Sequence, residues 1–285
     1  LSVKEIIRFA IHRIRPEFVQ AFREAGLEDL SKDDLVEFGI HKVRPEMVMA
    51  FRDAGLTDLS VSDLVECRIH NITPDFVQSF REAGLEDLTM DELVECRIHK
   101  VNAGVLQAFR DALGPQITLD EVVDASIHGI TPGLVEAFQA TGFTGFTLED
   151  LIECKLHHVT VDYLRRMKST GVEFGLKTLV DCRIHQVEPE FIRRYQEAGL
   201  DDLSVPDLIA AKLHRIPPEG ILAFRQAGFD AWGPQDIAPY YSVGVPADYV
   251  RDLMDVGIVE PGEIIKAFQD QVTPEDVRLL LKNGE

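Results

Sequence analysis

Histidines stand at 29-residue intervals along this chain, at His12, His41, His70, His99, His128 and His157, followed by His185 after 28 residues and His214 after another 29. An acidic residue precedes six of them by four positions: Glu37, Glu66, Glu95, Asp124, Glu153 and Asp181. Residues four apart on a helix face each other across one turn, so each pair sets a carboxylate beside an imidazole. That chemistry could hold a divalent metal or titrate near neutral pH. A zinc site, however, needs three or four ligands converging at about 2 Å. Neighbouring helices pack roughly 8–10 Å apart, which keeps one pair away from the next. The pairs read instead as helix ends, where a histidine complements the dipole and bonds free carbonyls while the acid orients it. No metal and no cofactor is implied.

The other reactive side chains have similar readings. Cys67, Cys96, Cys154 and Cys182 each stand three residues before a histidine, where other copies carry Phe9, Phe38, Ala125 and Ala211. Exchange with Phe and Ala marks a buried packing position rather than a nucleophile. Equivalent positions one copy apart are too distant for a disulfide, so the thiols are free and suit a reducing compartment. Arg23, Arg52, Arg81, Arg110 and Arg225 share one register and read as scaffold, solvated or paired with acids along the surface. Gly-rich phosphate loops, C-x-x-C pairs and H-E-x-x-H are absent, and no catalytic residue is assigned.

These residues are positioned by a repeat. Proline follows most of the histidines by four residues, at Pro16, Pro45, Pro74, Pro132, Pro189 and Pro218, with Ala103 and Val161 in two copies. Glycine comes ten residues after the proline, at Gly26, Gly55, Gly84, Gly142, Gly199 and Gly228. Each copy spells two short helices. In the first, Thr73 caps, Pro74 opens and Gly84 stops a stripe of Phe76, Val77, Phe80 and Ala83. The second starts at a capping box such as Ser60–Asp63 or Thr89–Glu92 and runs through Leu64, Val65 and Ile69 to the histidine. One unit cannot bury its apolar face alone, but stacked units can.

The expected fold is therefore all-α, an α-solenoid (superhelix) of tandem two-helix repeats of 28–29 residues forming one domain over 1–285. A half-unit covers 1–12, regular repeats cover 13–214, diverged repeats cover 215–270 and a half-unit covers 271–285. In the diverged copies Ser242 and Asp270 take the histidine register, and Pro274 with Gly284 recovers the ten-residue spacing. Pro239 falls inside a second helix, which it should kink or break. The opening Leu1-Ser2-Val3, with no methionine, suggests a processed form or part of a longer array.

The pattern V/I-T-P-E-F-V, A-G-L, L-S/T-x-D-D/E-L-V, R-I-H resembles tandem repeats of bacterial proteins, some of them arrays appended to membrane-anchored BlaR1-like regulatory metallopeptidases. The resemblance is good over residues 1–230 and weaker beyond. It implies a helical array with a regulatory or binding role and carries over no peptidase residue. The architecture is more distantly similar to tetratricopeptide and HEAT solenoids.

In such an array, binding residues are sought where copies differ. Residues 154–196 carry eight basic side chains against five acids, and Arg165-Arg166 and Arg193-Arg194 share a register in adjacent copies. With Lys168 they form either a grip for carboxylates or phosphates or an exposed face that has drifted. Trp232, Tyr240 and Tyr241 cluster at the second irregularity, with Tyr240 in the register of Arg68 and Arg97. They either anchor a partner or fill the gap beside a distorted helix.

With 49 acidic and 29 basic residues the net charge is −20, which repels nucleic acid and anionic lipid. No apolar run is long enough to span a bilayer. The first expectation is a non-enzymatic scaffold for a protein or peptide. A pH- or metal-responsive sensor built on the Glu/Asp–His ladder is the alternative, and nucleic-acid reading is opposed by charge. Free cysteines favour the cytoplasm, whereas the resemblance leaves an extracytoplasmic location open.

Overall fold

A computed structural model describes residues 2–283, less the side chains of 281 and 283, so Gly284 lies outside the described residues. Among the described residues there are twenty helices and no strand, which makes the chain an all-α solenoid of two-helix units. In order they are α1 (Val3–Ile11), α2 (Pro16–Glu24), α3 (Lys32–His41), α4 (Pro45–Asp53), α5 (Val61–Ile69), α6 (Pro74–Glu82), α7 (Met90–Ile98), α8 (Ala103–Leu113), α9 (Leu119–Ile127) and α10 (Pro132–Gln139). There follow α11 (Leu148–Leu156), α12 (Val161–Lys168), α13 (Leu176–Ile184), α14 (Pro189–Glu197), α15 (Val205–Leu213), α16 (Pro218–Gln226), α17 (Pro234–Tyr241), α18 (Ala247–Met254), α19 (Pro261–Gln269) and α20 (Pro274–Asn283). Even-numbered helices are the first of each copy and odd-numbered helices the second.

The chain divides into two compact units, one of residues up to 136 with 147–149, the other of 137–146 with residues from 150 on. In the first unit α3 packs on α5 and α5 on α7, while α4 packs on α6. In the second, α13, α15, α17 and α19 pack in succession, as do α16, α18 and α20. Like helices therefore stack on like, and each unit is two layers deep. Between the layers lie residues such as Leu64 and Cys67 from α5 and Val77 and Phe80 from α6, all buried.

Local chemistry sets both ends of each helix. Thr73 Oγ1 accepts the Phe76 N–H at 3.2 Å to start α6, and Pro74 occupies the first turn. At the other end Gly84 turns left-handed (φ +85°), and the Leu85 N–H donates back to the Phe80 carbonyl at 3.0 Å. In the second helix Ser60 Oγ accepts the Asp63 N–H at 3.1 Å while Asp63 accepts the Ser60 N–H at 2.7 Å. Its C-terminus closes in the same left-handed way, with Asn71 at φ +54° and the Ile72 N–H donating to the Cys67 carbonyl at 2.8 Å. Such a closure presses the residue two beyond the cap onto the residue three before it. That contact explains the cysteine register: Cys67, Cys96, Cys154 and Cys182 are buried opposite Ile72, Val101, Val159 and Val187, which are buried too.

The left-handed position after the second helix is rarely glycine. Arg13, Lys42, Asn71, Lys100, His158, Gln186, Arg215 and Gln271 all hold φ between 53° and 60°. An L-residue there costs roughly 1–2 kcal/mol, which a cation at the helix C-terminus offsets by about 0.3–1 kcal/mol. Lys100→Gly is accordingly expected to stabilise the fold by about 0.5–1 kcal/mol in chemical denaturation. An unchanged or lowered midpoint would show that the lysine contributes more than its backbone strain costs.

Irregular spacings also resolve at the backbone. The 28-residue step from His157 to His185 comes from a loop one residue short, between left-handed Gly171 and the N-cap Gly175. The assignment of Ser242 to the histidine register does not hold. Gly244 takes the left-handed position (φ +77°) and the Val245 N–H donates to the Tyr240 carbonyl at 3.0 Å, so Val243 stands where the histidines do. Tyr240 thereby moves from the Arg68 register into the buried register of Cys67. Asp270 keeps its expected place, with Gln271 left-handed and Val272 N–H bonded to the Ala267 carbonyl at 2.9 Å. Pro239 does not break its helix, since α17 runs through it to Tyr241. The carbonyl deprived of a partner belongs to Gln235, and both residues are exposed, so solvent satisfies it.

Candidate binding surface

The repeated arginines tie copies together through backbone rather than through acids alone. Arg52 donates to the Ala25 and Gly26 carbonyls, Arg81 to Gly55 O at 3.1 Å and Glu86 O at 3.0 Å, and Arg110 to Ala83 O and Ile117 O, both at 3.1 Å. Each thus serves free carbonyls at the end of the preceding first helix. In the second unit Lys168 Nζ does the same to the Thr141 carbonyl at 2.7 Å, and Gln196 to Thr170 at 2.9 Å. Arg225 instead grips Asp202 with both carboxylate oxygens, at 3.1 and 2.8 Å, which holds that carboxyl below its ordinary pKa. A side chain at Gly55 would collide with Arg81, so this glycine supplies room as well as its positive φ. Lys168, a sequence candidate for partner binding, is part of this stapling.

The histidines sit at the ends of the second helices, His70, His99, His128, His185 and His214 among them as C-cap residues. His41 Nε2 lies 3.4 Å from Glu37 and His128 Nε2 lies 3.5 Å from Asp124. Among the described residues no three His, Cys, Asp or Glu side chains gather closely enough to hold a metal ion.

The four arginines of the basic segment separate into different environments. Arg166 pairs with Glu190 at 3.1 Å, and Arg193 reaches the same carboxylate at 3.7 Å and Ser169 Oγ at 2.8 Å. Glu190's own backbone amide and then Arg166 hold its carboxyl below the ordinary range. Arg194 faces Glu219 at 3.8 Å, with both side chains largely in solvent. Arg165 is exposed, and its side chain has no hydrogen bond or ion pair among the described residues. Arg166 and Arg193 are thus brought together by Glu190, while Arg165 and Arg194 are not part of that group.

The aromatic candidates pack inward. Trp232 stacks on Phe229 at 4.2 Å and on Tyr240 at 5.7 Å between ring centroids, and Phe224 lies 6.1 Å from both Trp232 and Tyr240. Tyr240 is buried and burial raises its hydroxyl pKa, while Trp232 and Tyr241 are half-buried. This stack joins Trp232 and Tyr240 to Phe224 and Phe229 beside α17.

Sequence reasoning overlooked a different feature. In the first unit Ile11, Ile40, Ile69, Ile98 and Ile127 occupy one register, immediately before the histidine, and in the second unit Leu156, Ile184 and Leu213 do so. All eight are 46–67% exposed. The signal was available in the helical period. Ile69 is five residues beyond buried Leu64, about 140° round the helix at 100° per residue, so it cannot share the core stripe. A solvent-facing position that is apolar in eight successive second helices, α1 to α15, and gives way to Ser242 and Gln269 only in the diverged copies, has no packing reason to be apolar. No protein-family model, no curated protein and no solved structure matches the chain.

Proposed function

We propose that the chain is a non-enzymatic repeat scaffold that binds a protein or peptide segment along the exposed ends of its second helices. The observation that carries this reading is the single register of exposed Ile and Leu, one in each of the eight second helices from α1 to α15. Exposed apolar rows on soluble proteins mark contact surfaces, because covering them removes about 25 cal/mol of unfavourable hydration per Å². The recurring ionisable residues are occupied in helix ends and in bonds between copies, which leaves them structural work rather than chemistry. The net charge of −20 opposes nucleic acid as the partner, and no helix among the described residues is long and apolar enough to cross a membrane. A regulatory setting, as the repeat resemblance implies, accords with a binding role.

The test is the combined variant Ile69→Asn, Ile98→Asn and Ile127→Asn. Exposed substitutions change stability by about 0.5 kcal/mol or less each, so helicity and unfolding midpoint should stay close to wild type. Affinity capture from lysate of the source organism should lose the proteins that wild type retains. Identical retention by both would remove the ladder from any binding role.

A further inference from the structure

A groove of about 380 Å³ lies between α14 and the end of α15, lined by Phe191, Arg194, Tyr195, Lys212, Arg215 and Pro217 among others. Its lining contains three cations and no acid. Lys212 Nζ sits 4.9 Å from the centre of the Phe191 ring, and neither Lys212 nor Arg215 makes an ion pair among the described residues. Arg215 projects from a left-handed backbone position (φ +53°), and Arg194 has only the exposed Glu219 at 3.8 Å.

The preceding copy shows what this site lacks. There Arg183 takes the place of Lys212, lying 4.9 Å from the centre of the Tyr163 ring, and Glu188 takes the place of Pro217. Glu188 pairs with Arg183 and lies 4.0 Å from Arg166, the counterpart of Arg194. Gln186 stands where Arg215 does. One copy thus carries its own carboxylate in the groove, and the next has exchanged it for proline while adding a cation. In the α6–α7 copy of the first unit the counterpart of Arg194 is Ser79, with Ala21, Ala50 and Ala108 in the other copies, and Arg97 is drawn onto the Phe76 ring at 4.0 Å and to the Asn71 carbonyl at 2.6 Å. Three cations without an acid in the lining belong to the α14–α15 groove, where Lys212 and Arg215 make no ion pair among the described residues and Arg194 has only the exposed Glu219.

We infer that this groove receives a carboxylate side chain, Asp or Glu, from an acidic and apolar segment of the partner, standing where Glu188 stands one copy earlier. This rests on the binding-scaffold reading and specifies its partner. Two arginines and a lysine line the same groove, and guanidinium groups bind carboxylates through paired charged hydrogen bonds. Leu213, exposed next to Lys212 in the chain but outside the groove lining, supplies an apolar contact for the neighbouring partner residue. A polyphosphate chain extends beyond the groove onto a chain of net charge −20, whereas an isolated carboxylate in an apolar segment does not.

The experiment selects a phage-displayed library of random short peptides on the full chain and on the variant Arg194→Gln, Lys212→Gln, Arg215→Gln, with helicity and unfolding midpoint measured for both. Peptides recovered on wild type should be enriched in Asp or Glu beside apolar residues and should bind the variant about ten-fold more weakly. Should the variant not fold, added salt serves as the second measurement, since it should weaken the selected peptides on wild type and spare their Gln counterparts. Equal recovery on both proteins, or peptides without acid enrichment, would overturn the carboxylate site and leave the scaffold reading standing. Recovery of no peptide by either protein would overturn the scaffold reading and this inference with it.

Discussion

At about pH 8 the native chain should react with a thiol reagent roughly a thousand-fold more slowly than the same chain in denaturant, and all four cysteines should become reactive together on unfolding. Cys67, Cys96, Cys154 and Cys182 are fully buried, and burial pushes each thiol up to about 12 from its ordinary 9. Neighbouring carboxylates add to this, Asp63 and Glu66 for Cys67 and Asp150 and Glu153 for Cys154. Only the thiolate attacks, so three pH units separate the native from the unfolded reactivity. The same shift gives stability a pH dependence. The native pKa lies above the unfolded one, so the unfolded chain releases these protons first as pH rises. The contribution is complete below about pH 9 and is lost progressively between about 9 and 12. Rapid labelling of any cysteine in the folded chain would contradict the closed packing at that helix end.

Phe80→Ala should lower the unfolding free energy by about 3–5 kcal/mol, measured by urea titration of the helical circular dichroism signal. Phe80 is fully buried, meets Phe76 edge-on at 5.1 Å, and lies where α6 closes onto Leu85. Truncation removes the ring's transfer energy and leaves a cavity that two packed helix layers can only partly collapse. Stacked repeats depend on their immediate neighbours, so the damage should also loosen cooperativity and lower the denaturant slope. Ile98→Ala, on the exposed face of α7, is the matched control and should cost about 0.5 kcal/mol or less. A loss below about 1 kcal/mol at Phe80 would mean that the repeat core has slack which its packing does not display.

The contrast between Phe80 and Ile98 also marks how far the sequence could be followed. Both are large apolar residues at fixed places in the repeat, and composition does not tell them apart. The helical period does, once phase is counted from Leu64 or Leu93. The basic segment was harder. Arg165-Arg166 and Arg193-Arg194 look alike in sequence, yet Glu190 occupies Arg166 and Arg193, Arg194 faces Glu219, and the cations that line the α14–α15 groove are Arg194, Lys212 and Arg215. Nothing local signals that Pro217 stands where the preceding copy places Glu188, since the exchange matters only once α14 and α15 face each other.

The sequence by itself determined the helices, their caps, the two-helix unit and the all-α solenoid. Those signals act over three to five residues, as in the Ser60–Asp63 box or the bond from Ile72 to Cys67, and the chain repeats them often enough to be read directly. Tertiary structure decided what each polar side chain does. Arg81 reaches Gly55, Lys168 reaches Thr141 and Arg166 reaches Glu190 across 24 to 27 positions of sequence, distances closed only by stacking one copy on the next. It also decided the diverged end, where Tyr240 could be placed by spacing in either of two adjacent registers. Adjacent positions on a helix lie about 100° apart, so a one-residue shift turned an apparent surface aromatic into a core residue.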